Sequence, residues 1–183
     1  MDKRINVLEL RSIHQFIPAK GFDTEIELLK LKKDDAFNYN ISTNTSLSSN
    51  WWEHLALNET ILKKSLSLPE IHFLLASYKG EIVGAFDLLI LPDKAIEIKN
   101  FGITANYVHF KIRALVLSKA VDYCFQFNPS RIFYQTSEFD KMAAISNYLS
   151  QGFTISAHNQ GQYTNQITEE KSYLVSKYLI NHN

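Results

Sequence analysis

The sequence predicts an α+β domain built on a mixed, mainly antiparallel central sheet that is flanked by helices on both faces. Three observations predict it. Three apolar segments, 71–77, 81–91 and 95–103, follow one another through short turns, which favours antiparallel pairing. Strand and helix patterns then alternate over residues 110–153, and hairpins followed by such alternation indicate a mixed sheet. Segment 81–91 is almost continuously apolar, which is typical of a strand that is covered on both faces.

The elements before this core are a strand, a second strand and a helical region. Residues 6–10 and 26–32 have the composition and alternation of strands. Two aspartates follow the second segment, where they suit the positive end of a helix. Residues 40–50 are rich in Ser, Thr and Asn and predict a loop, and residues 51–67 predict a helix in two pieces.

Strong turn signals separate the central strands. Tyr78, Lys79 and Gly80 stand between segments 71–77 and 81–91, where the Gly-containing turn predicts a tight hairpin. Pro92 and Asp93 form the next predicted turn, before the strand at 95–103.

The second half of the chain alternates between helix and strand. The pattern predicts a helix at 110–127, a strand at 131–136, a helix at 141–150 and two last strands at 153–158 and 172–179. Apolar residues recur at three- and four-residue steps along the first helix, so that one stripe faces the sheet. The stripe consists of Ile112, Val116, Leu117, Ala120, Val121 and Cys124.

Composition excludes several classes of function. The 183 residues contain 19 Lys plus Arg and 19 Asp plus Glu, and this neutral balance argues against a nucleic-acid partner. No apolar run has the roughly 18 residues of a membrane helix, which argues against a membrane partner. Cys124 is the one cysteine, which rules out an intrachain disulfide and fits a reducing, cytoplasmic location. The six histidines lack paired metal-ligand spacing, so no metal site is predicted.

The second helix carries a local motif. Ala144, Tyr148, Gly152 and Phe153 follow the pattern N-x-x-A-x-x-x-Y-x-x-x-G-F, with Lys141 in place of the Asn. Together with the order of strands and helices, this motif resembles the GNAT acyltransferases, which bind acetyl-CoA. The resemblance covers about residues 25–179. It implies a GNAT-like domain at 25–183, preceded by an N-terminal extension at 1–24 outside the common core.

The same resemblance places a phosphate-binding loop at the start of the helix at 110–127. Backbone N–H groups at a helix start bind phosphate, and the family loop reads Q/R-x-x-G-x-G/A. The matching positions are Val108, His109, Phe110, Lys111, Ile112 and Arg113. Lys111 and Arg113 stand where the family has small residues, and two interpretations are open. Their charge contacts the phosphates, or their bulk fills the space and the fold is retained without the ligand.

The resemblance also implies roles for residues around this loop. Phe101 and Ile103 fall where the family strand splays and pairs with the pantetheine arm, and Lys141 is assigned to the cofactor site. Glu97 falls where some members carry a general base, although it could also only pair with a lysine. Tyr148 falls where many members carry the general acid that protonates the leaving thiolate, although it could also only pack.

The function implied is transfer of an acetyl group from acetyl-CoA, as co-substrate, to an amine acceptor. The alternative is a non-catalytic, degenerate GNAT-fold module that binds or regulates. The sequence leaves the acceptor undefined and a homodimer open.

Overall fold

The computed structural model describes residues 7–21, 25–32, 70–107, 111–135 and 142–156. Within these ranges the chain forms seven strands and two α-helices. The strands are β1 (Val7–Leu10), β2 (Ile26–Lys30), β3 (Ile71–Tyr78), β4 (Glu81–Ile90), β5 (Ala95–Ile103), β6 (Arg131–Gln135) and β7 (Thr154–Ile155). The helices are α1 (Ile112–Phe125) and α2 (Met142–Ser150), and short 3-10 turns lie at Ile13–Gln15 and Ala105–Tyr107.

The described strands form one sheet in the order β2-β3-β4-β5-β6-β1-β7. Strands β5 and β6 run parallel, and every other neighbouring pair is antiparallel. Helix α1 connects the two parallel strands, as a parallel pair requires a crossover. The predicted α+β class with a mixed, mainly antiparallel sheet is confirmed.

The hairpin between β3 and β4 has the turn that the sequence predicts. Lys79 and Gly80 both have positive φ, at 51° and 83°. Two such residues in a row give a primed turn, whose twist matches that of the flanking strands.

The main hydrophobic core lies between one face of the sheet and the two described helices. Alternate residues of β4, such as Phe86 and Leu88, are fully buried in the same cluster as Val116 and Val121 of α1. Tyr148 of α2 belongs to that cluster as well, so both helices pack on this face. Residues of the opposite face are also buried, among them Leu89 and Phe133. The helices predicted within residues 34–67 lie outside the described residues.

The N-terminal strand β1 lies inside the sheet, between β6 and β7. All four of its residues are buried, and they pair with four of the five residues of β6, Ile132 to Gln135. Part of residues 1–24, which were predicted as an extension outside the common core of the family, therefore belongs to the central sheet. The resemblance covers about residues 25–179, so it does not indicate that a strand before residue 25 borders β6. Where the domain begins stays a prediction.

The segment after β1 attaches to both helices. The backbone N–H of Ile17 donates to the carbonyl of Gln151 at 3.1 Å, and that of Ala19 donates to Ser118 Oγ at 2.8 Å. Gly152 ends α2 with φ +90°, as the sequence predicts for a helix C-terminus. A Cβ on Gly152 would lie 1.8 Å from the carbonyl oxygen of Gln15, so only glycine allows this approach.

The ends of the predicted elements differ from the structure by one or two residues in most cases. Helix α1 covers Ile112–Phe125 within the predicted 110–127, and β6 begins at Arg131 as predicted. Strand β2 ends two residues earlier than predicted. The last predicted strand, at 172–179, lies outside the described residues.

We expect the substitution Gly152→Ala to destabilise the fold more than Gly80→Ala. Both glycines have left-handed φ, which costs a side-chain-bearing residue roughly 1–3 kcal/mol. Only at Gly152 does the new Cβ also meet backbone, because a Cβ at Gly80 has no atom within 4 Å. Urea unfolding of the two variants measures the difference. Equal losses would show that residues 15–16 do not pack on Gly152 in solution.

Candidate active site

Strands β5 and β6 pair over a short distance and then part. Their parallel register joins Ala95, Ile96 and Glu97 to Arg131, Ile132 and Phe133. Strand β5 continues to Ile103, and β6 continues to Gln135. Beyond the pair of Glu97 and Phe133, the two described strands have no ladder pairs with each other. A gap therefore opens in the middle of the sheet at this point.

A β-bulge in β5 accompanies the gap. Between the pairs Ala85–Gly102 and Asp87–Lys99, β4 has one residue and β5 has two, one of which is Phe101. A bulge bends its strand and increases the local twist, and bulges are frequent next to active sites. Phe101 is half-buried at this bulge.

Gly84 keeps the far part of β5 close to β4. It pairs with Ile103, and a Cβ on Gly84 would lie 2.7 Å from the carbonyl oxygen of Gly102. Because the two backbones approach this closely, β5 stays attached to β4 while it leaves β6. Ile103 itself is fully buried.

Strand β1 holds the part of β6 that leaves β5. Its residues Val7 and Leu8 pair with Gln135 and Tyr134, both of which lie beyond the last pair with β5. Each side of the gap is therefore fixed by a neighbouring strand.

Tyr148 of α2 lies over this gap. It is 1% exposed, and its ring stacks on Tyr134 of β6 with centroids 4.5 Å apart and an interplanar angle of 11°. The same ring makes edge contacts with Phe101 of β5 at 6.2 Å and with Phe153 at 5.1 Å. Because Tyr148 contacts residues of both strands beyond their last pair, its ring has a fixed position between them.

Glu97 lies at the closed end of the gap, on the other face of the sheet. It is the last β5 residue that pairs with β6, and alternation along β5 separates it from Ile96 and Ile98 of the helix-covered face. Its side chain is 4% exposed. Gln135 Nε2 donates a hydrogen bond to Glu97 Oε1 at 3.0 Å. Among the described residues, no group donates to Glu97 Oε2.

That oxygen is chemically significant, because buried polar atoms in native proteins nearly always have a hydrogen-bond partner. A buried carboxylate oxygen without a partner costs free energy unless a ligand or a proton uses it. Glu97 pairs with an amide rather than with a lysine. Lys99 lies instead opposite Asp87 in the register of β4 and β5.

The start of α1 has ordinary helical geometry. Lys111 has φ −61° and ψ 0°, and its carbonyl accepts hydrogen bonds from the N–H groups of Ala114 and Leu115 at 3.1 and 3.2 Å. A lysine at this position therefore carries no backbone strain, and glycine is not required by conformation. The Lys111 side chain is exposed, Ile112 is buried and Arg113 is half-buried.

The chain between β5 and α1 is anchored to β4. Thr104 donates to the carbonyl of Val83 through its N–H at 2.9 Å. The Tyr107 hydroxyl donates to Glu81 Oε2 at 2.5 Å, and this hydrogen bond is the main reason why the pKa of Tyr107 is raised. The predicted loop residues Val108, His109 and Phe110 lie outside the described residues, as does Lys141.

A buried glutamine joins the two helices behind the site. Ser118 Oγ donates to Gln151 Oε1 at 2.8 Å, and Gln151 Nε2 donates to the carbonyl of Ala114 at 2.9 Å. Asn147 Nδ2 donates to the carbonyl of Arg113 at 3.4 Å. These bonds fix the first turn of α1 relative to Tyr148.

The structure thus brings Glu97, Phe101 and Tyr148 to one gap, while it places Lys111 and Arg113 at the start of the helix that follows β5. Sequence reasoning missed Tyr134 and Gln135, which line the β6 side. Both residues follow Phe133, the last residue of β6 that pairs with β5. They could be named only from the register between β5 and β6, which the sequence does not show.

No helix described here is long and apolar enough to cross a membrane. No three His, Cys, Asp or Glu side chains in these ranges are grouped so that they could hold a metal ion.

Comparison with known proteins identifies relatives of this fold. Residues 33–153, about two thirds of the chain, match the family model described as acetyltransferase (GNAT) family. No curated protein matches the chain. A functionally unknown conserved protein from Staphylococcus epidermidis is 21% identical with a TM-score of 0.55, and the match covers 84% of this chain and 59% of that one. The chain therefore spans less than two thirds of that relative's length.

Two structural neighbours are named for the amines that they acetylate. The ribosomal-protein-S18-alanine N-acetyltransferase from Escherichia coli is 14% identical with a TM-score of 0.56, and the match covers 72% of this chain and 79% of that one. Mutant forms of the spermidine/spermine N-acetyltransferase from Vibrio cholerae are 15% identical with a TM-score of 0.54. This match covers 72% of this chain and 80% of that one. At these identities the likeness shows the fold.

The hydrogen bond of Tyr107 leads to a prediction about pH. Its raised pKa means that folding favours the protonated phenol, so its stabilisation is present below the ordinary value of 10.0. The stabilisation is lost as the pH rises through the raised value, because the tyrosinate has no proton to donate and repels Glu81. We expect Tyr107→Phe to lower the melting temperature at neutral pH, and the difference from wild type to shrink above pH of about 10.

Melting curves of both proteins across this range, in the same buffers, measure the difference and cancel the titration of other groups. A difference that does not change with pH would contradict the hydrogen bond as the source of the stabilisation.

Proposed function

This chain belongs to the GNAT acetyltransferase family, and on that basis we propose that it is an N-acetyltransferase that moves an acetyl group from acetyl-CoA to an amine acceptor. The observation that carries the proposal is the gap between β5 and β6. Tyr148 lies on one face of it, and Glu97, whose Oε2 has no donor within the described ranges, lies at its closed end. A gap that passes through the sheet gives groups on opposite faces access to one reactant.

The two residues have complementary chemistry for this reaction. Glu97 Oε2, directly or through a water, accepts a proton from the attacking amine as the new C–N bond forms. Tyr148 Oη donates a proton to the thiolate as the C–S bond breaks. Each step of general acid or base catalysis of this kind contributes roughly 10²–10⁴-fold to a rate. Acetyl-CoA supplies the thioester, and the start of α1 with Lys111 and Arg113 binds its phosphates in this proposal.

The acceptor is proposed only as a class. The structural neighbours named for alanine and for spermidine or spermine acetylation act on amines, which supports an amine here without identifying it. A cytoplasmic location is part of the same proposal.

A non-catalytic GNAT-fold module is the second candidate, and one observation favours it. Lys111 and Arg113 replace the small residues of the family loop, and their side chains occupy volume at the helix start. The helical angles of Lys111 show that the backbone is unstrained there, but they do not reduce the volume of the two side chains. Binding of acetyl-CoA separates the candidates.

We expect acetyl-CoA to stabilise the protein by roughly 2.7 kcal/mol at about 100 times its dissociation constant. Replacing both Lys111 and Arg113 by Ala should weaken binding by roughly tenfold, or about 1.4 kcal/mol, because two cations near the phosphates are lost. Titration calorimetry and thermal shift measure both effects. The weakening should be smaller at high salt, where charges are screened.

The matched control is Lys119→Ala on the same helix, about 12 Å along its axis from Lys111. It removes one cation without changing the helix start, so affinity should stay near that of wild type. Flat calorimetry and no shift with millimolar acetyl-CoA would favour the non-catalytic module. Tighter binding by the double variant would show that the two side chains obstruct the site.

Removing the hydroxyl of Tyr148 should lower turnover by at least roughly 10²-fold. Tyr148→Phe keeps the ring that stacks on Tyr134, so acetyl-CoA affinity should stay nearly constant. Thiol release with an amine panel gives the rate. The control is Tyr123→Phe, whose hydroxyl lies by His72 Nδ1 at 3.3 Å rather than at the gap. If Tyr148→Phe retains turnover near that of the control, Tyr148 only packs.

A further inference from the structure

Two buried carboxylates on the same face of the sheet have very different surroundings. Glu9 of β1 lies opposite Phe133, the residue that also pairs with Glu97. Arg11 binds both oxygens of Glu9, with Nε to Oε1 at 2.9 Å and Nη2 to Oε2 at 3.2 Å. Arg131 Nη1 lies 3.6 Å from Glu9 Oε2 as well. Both oxygens of Glu9 therefore have a cationic partner.

In the part of the chain that the structure describes, Glu97 has one hydrogen-bond partner, and that partner is neutral. Gln135 Nε2 binds one oxygen at 3.0 Å, and the other oxygen has no donor among the described residues. Because a carboxylate only accepts hydrogen bonds, the nitrogen of the Gln135 amide is the atom that must face it. An amide fixes the orientation of a carboxylate without cancelling its charge, whereas an arginine would occupy both oxygens, as at Glu9.

We propose that Gln135 is a positioning residue that holds Glu97 by its Oε1 atom and directs Oε2 to the amine of the acceptor. The inference rests on the proposed acetyltransferase function and deepens it. Gln135 does not touch the reacting atoms and acts through Glu97. Strand β1 fixes the backbone of Gln135, since Val7 pairs with this residue.

The charged groups on the same face of the sheet as Glu97 are placed against one another. Charged groups on its face come from every neighbouring strand: Asp87 from β4, Lys99 from β5 itself, Arg131 from β6 and Glu9 from β1. Glu9 and Arg131 are engaged with each other, and Lys99 lies opposite Asp87. Gln135 is the group that the structure shows bonded to Glu97.

The test compares the pH profile of kcat/KM of the wild type with that of Gln135→Met. This substitution keeps the length of the side chain and removes the hydrogen-bond donor. A hydrogen bond to the charged form of an acid favours that form. Its loss should move the acid limb of the profile to higher pH by roughly one unit, and should lower kcat/KM at neutral pH by roughly 10- to 100-fold. KM for acetyl-CoA should stay constant.

A second comparison separates positioning from packing. In the Glu97→Gln background, Gln135→Met should cost less than about threefold more, because two groups that act as one unit are not additive. Gln126→Met, an exposed glutamine at the end of α1, is the matched control and should leave the profile unchanged. If Gln135→Met does not fold, the isosteric Gln135→Glu serves, and the acid limb should move further upward because two carboxylates then face each other.

A failure of the proposed function and a failure of this inference give different results. A wild-type protein that acetylates no amine of the panel contradicts the proposed function and this inference with it. A wild type that turns over, combined with an unmoved acid limb in the folded Gln135 variant, overturns this inference alone. Full additivity of the two substitutions also overturns it.

Discussion

The end of pairing between β5 and β6 is the constraint on which the candidate site depends. After Glu97 and Phe133, the backbones of the two strands no longer bond to each other, yet both strands continue. A sheet that opens in its interior exposes backbone groups and would be unstable if nothing fixed the separated parts. The fold solves this from both sides. Gly84 and the bulge hold β5 on β4, and β1 holds the free end of β6.

This constraint explains why the N-terminal strand belongs to the core. Among the described strands, β1 is the one that pairs with Tyr134 and Gln135, because β5 has already turned away. The segment after β1 then ties the same region to α1 and α2 through Ser118, Gln151 and the glycine at 152. A residue of the site on β6 is therefore positioned by chain that lies more than a hundred residues earlier in the sequence.

The sequence predicted the parts of this arrangement that depend on local pattern. The hairpin at Lys79–Gly80, the stripe of α1 and the Gly152 helix end all follow from residues close to one another in the chain. It could not predict the neighbours of β6, since strand pairing between distant segments has no local signal. For the same reason Glu97 and Tyr148 were named by resemblance, while Gln135 and Tyr134 were missed. The structure buries Glu97 and pairs it with Gln135 rather than with a lysine.

Lys111 and Arg113 replace the small residues of the family loop, and the structure shows whether glycine is needed at such positions. Glycine is required where φ is left-handed or where backbone approaches another atom closely. The structure meets these conditions at positions 84 and 152, where a Cβ would lie 2.7 and 1.8 Å from backbone oxygens, but Lys111 has ordinary helical angles. Small residues at the start of α1 would therefore serve only the approach of a ligand. In this chain two cations stand there, so the question for that position is one of charge and volume rather than of backbone strain.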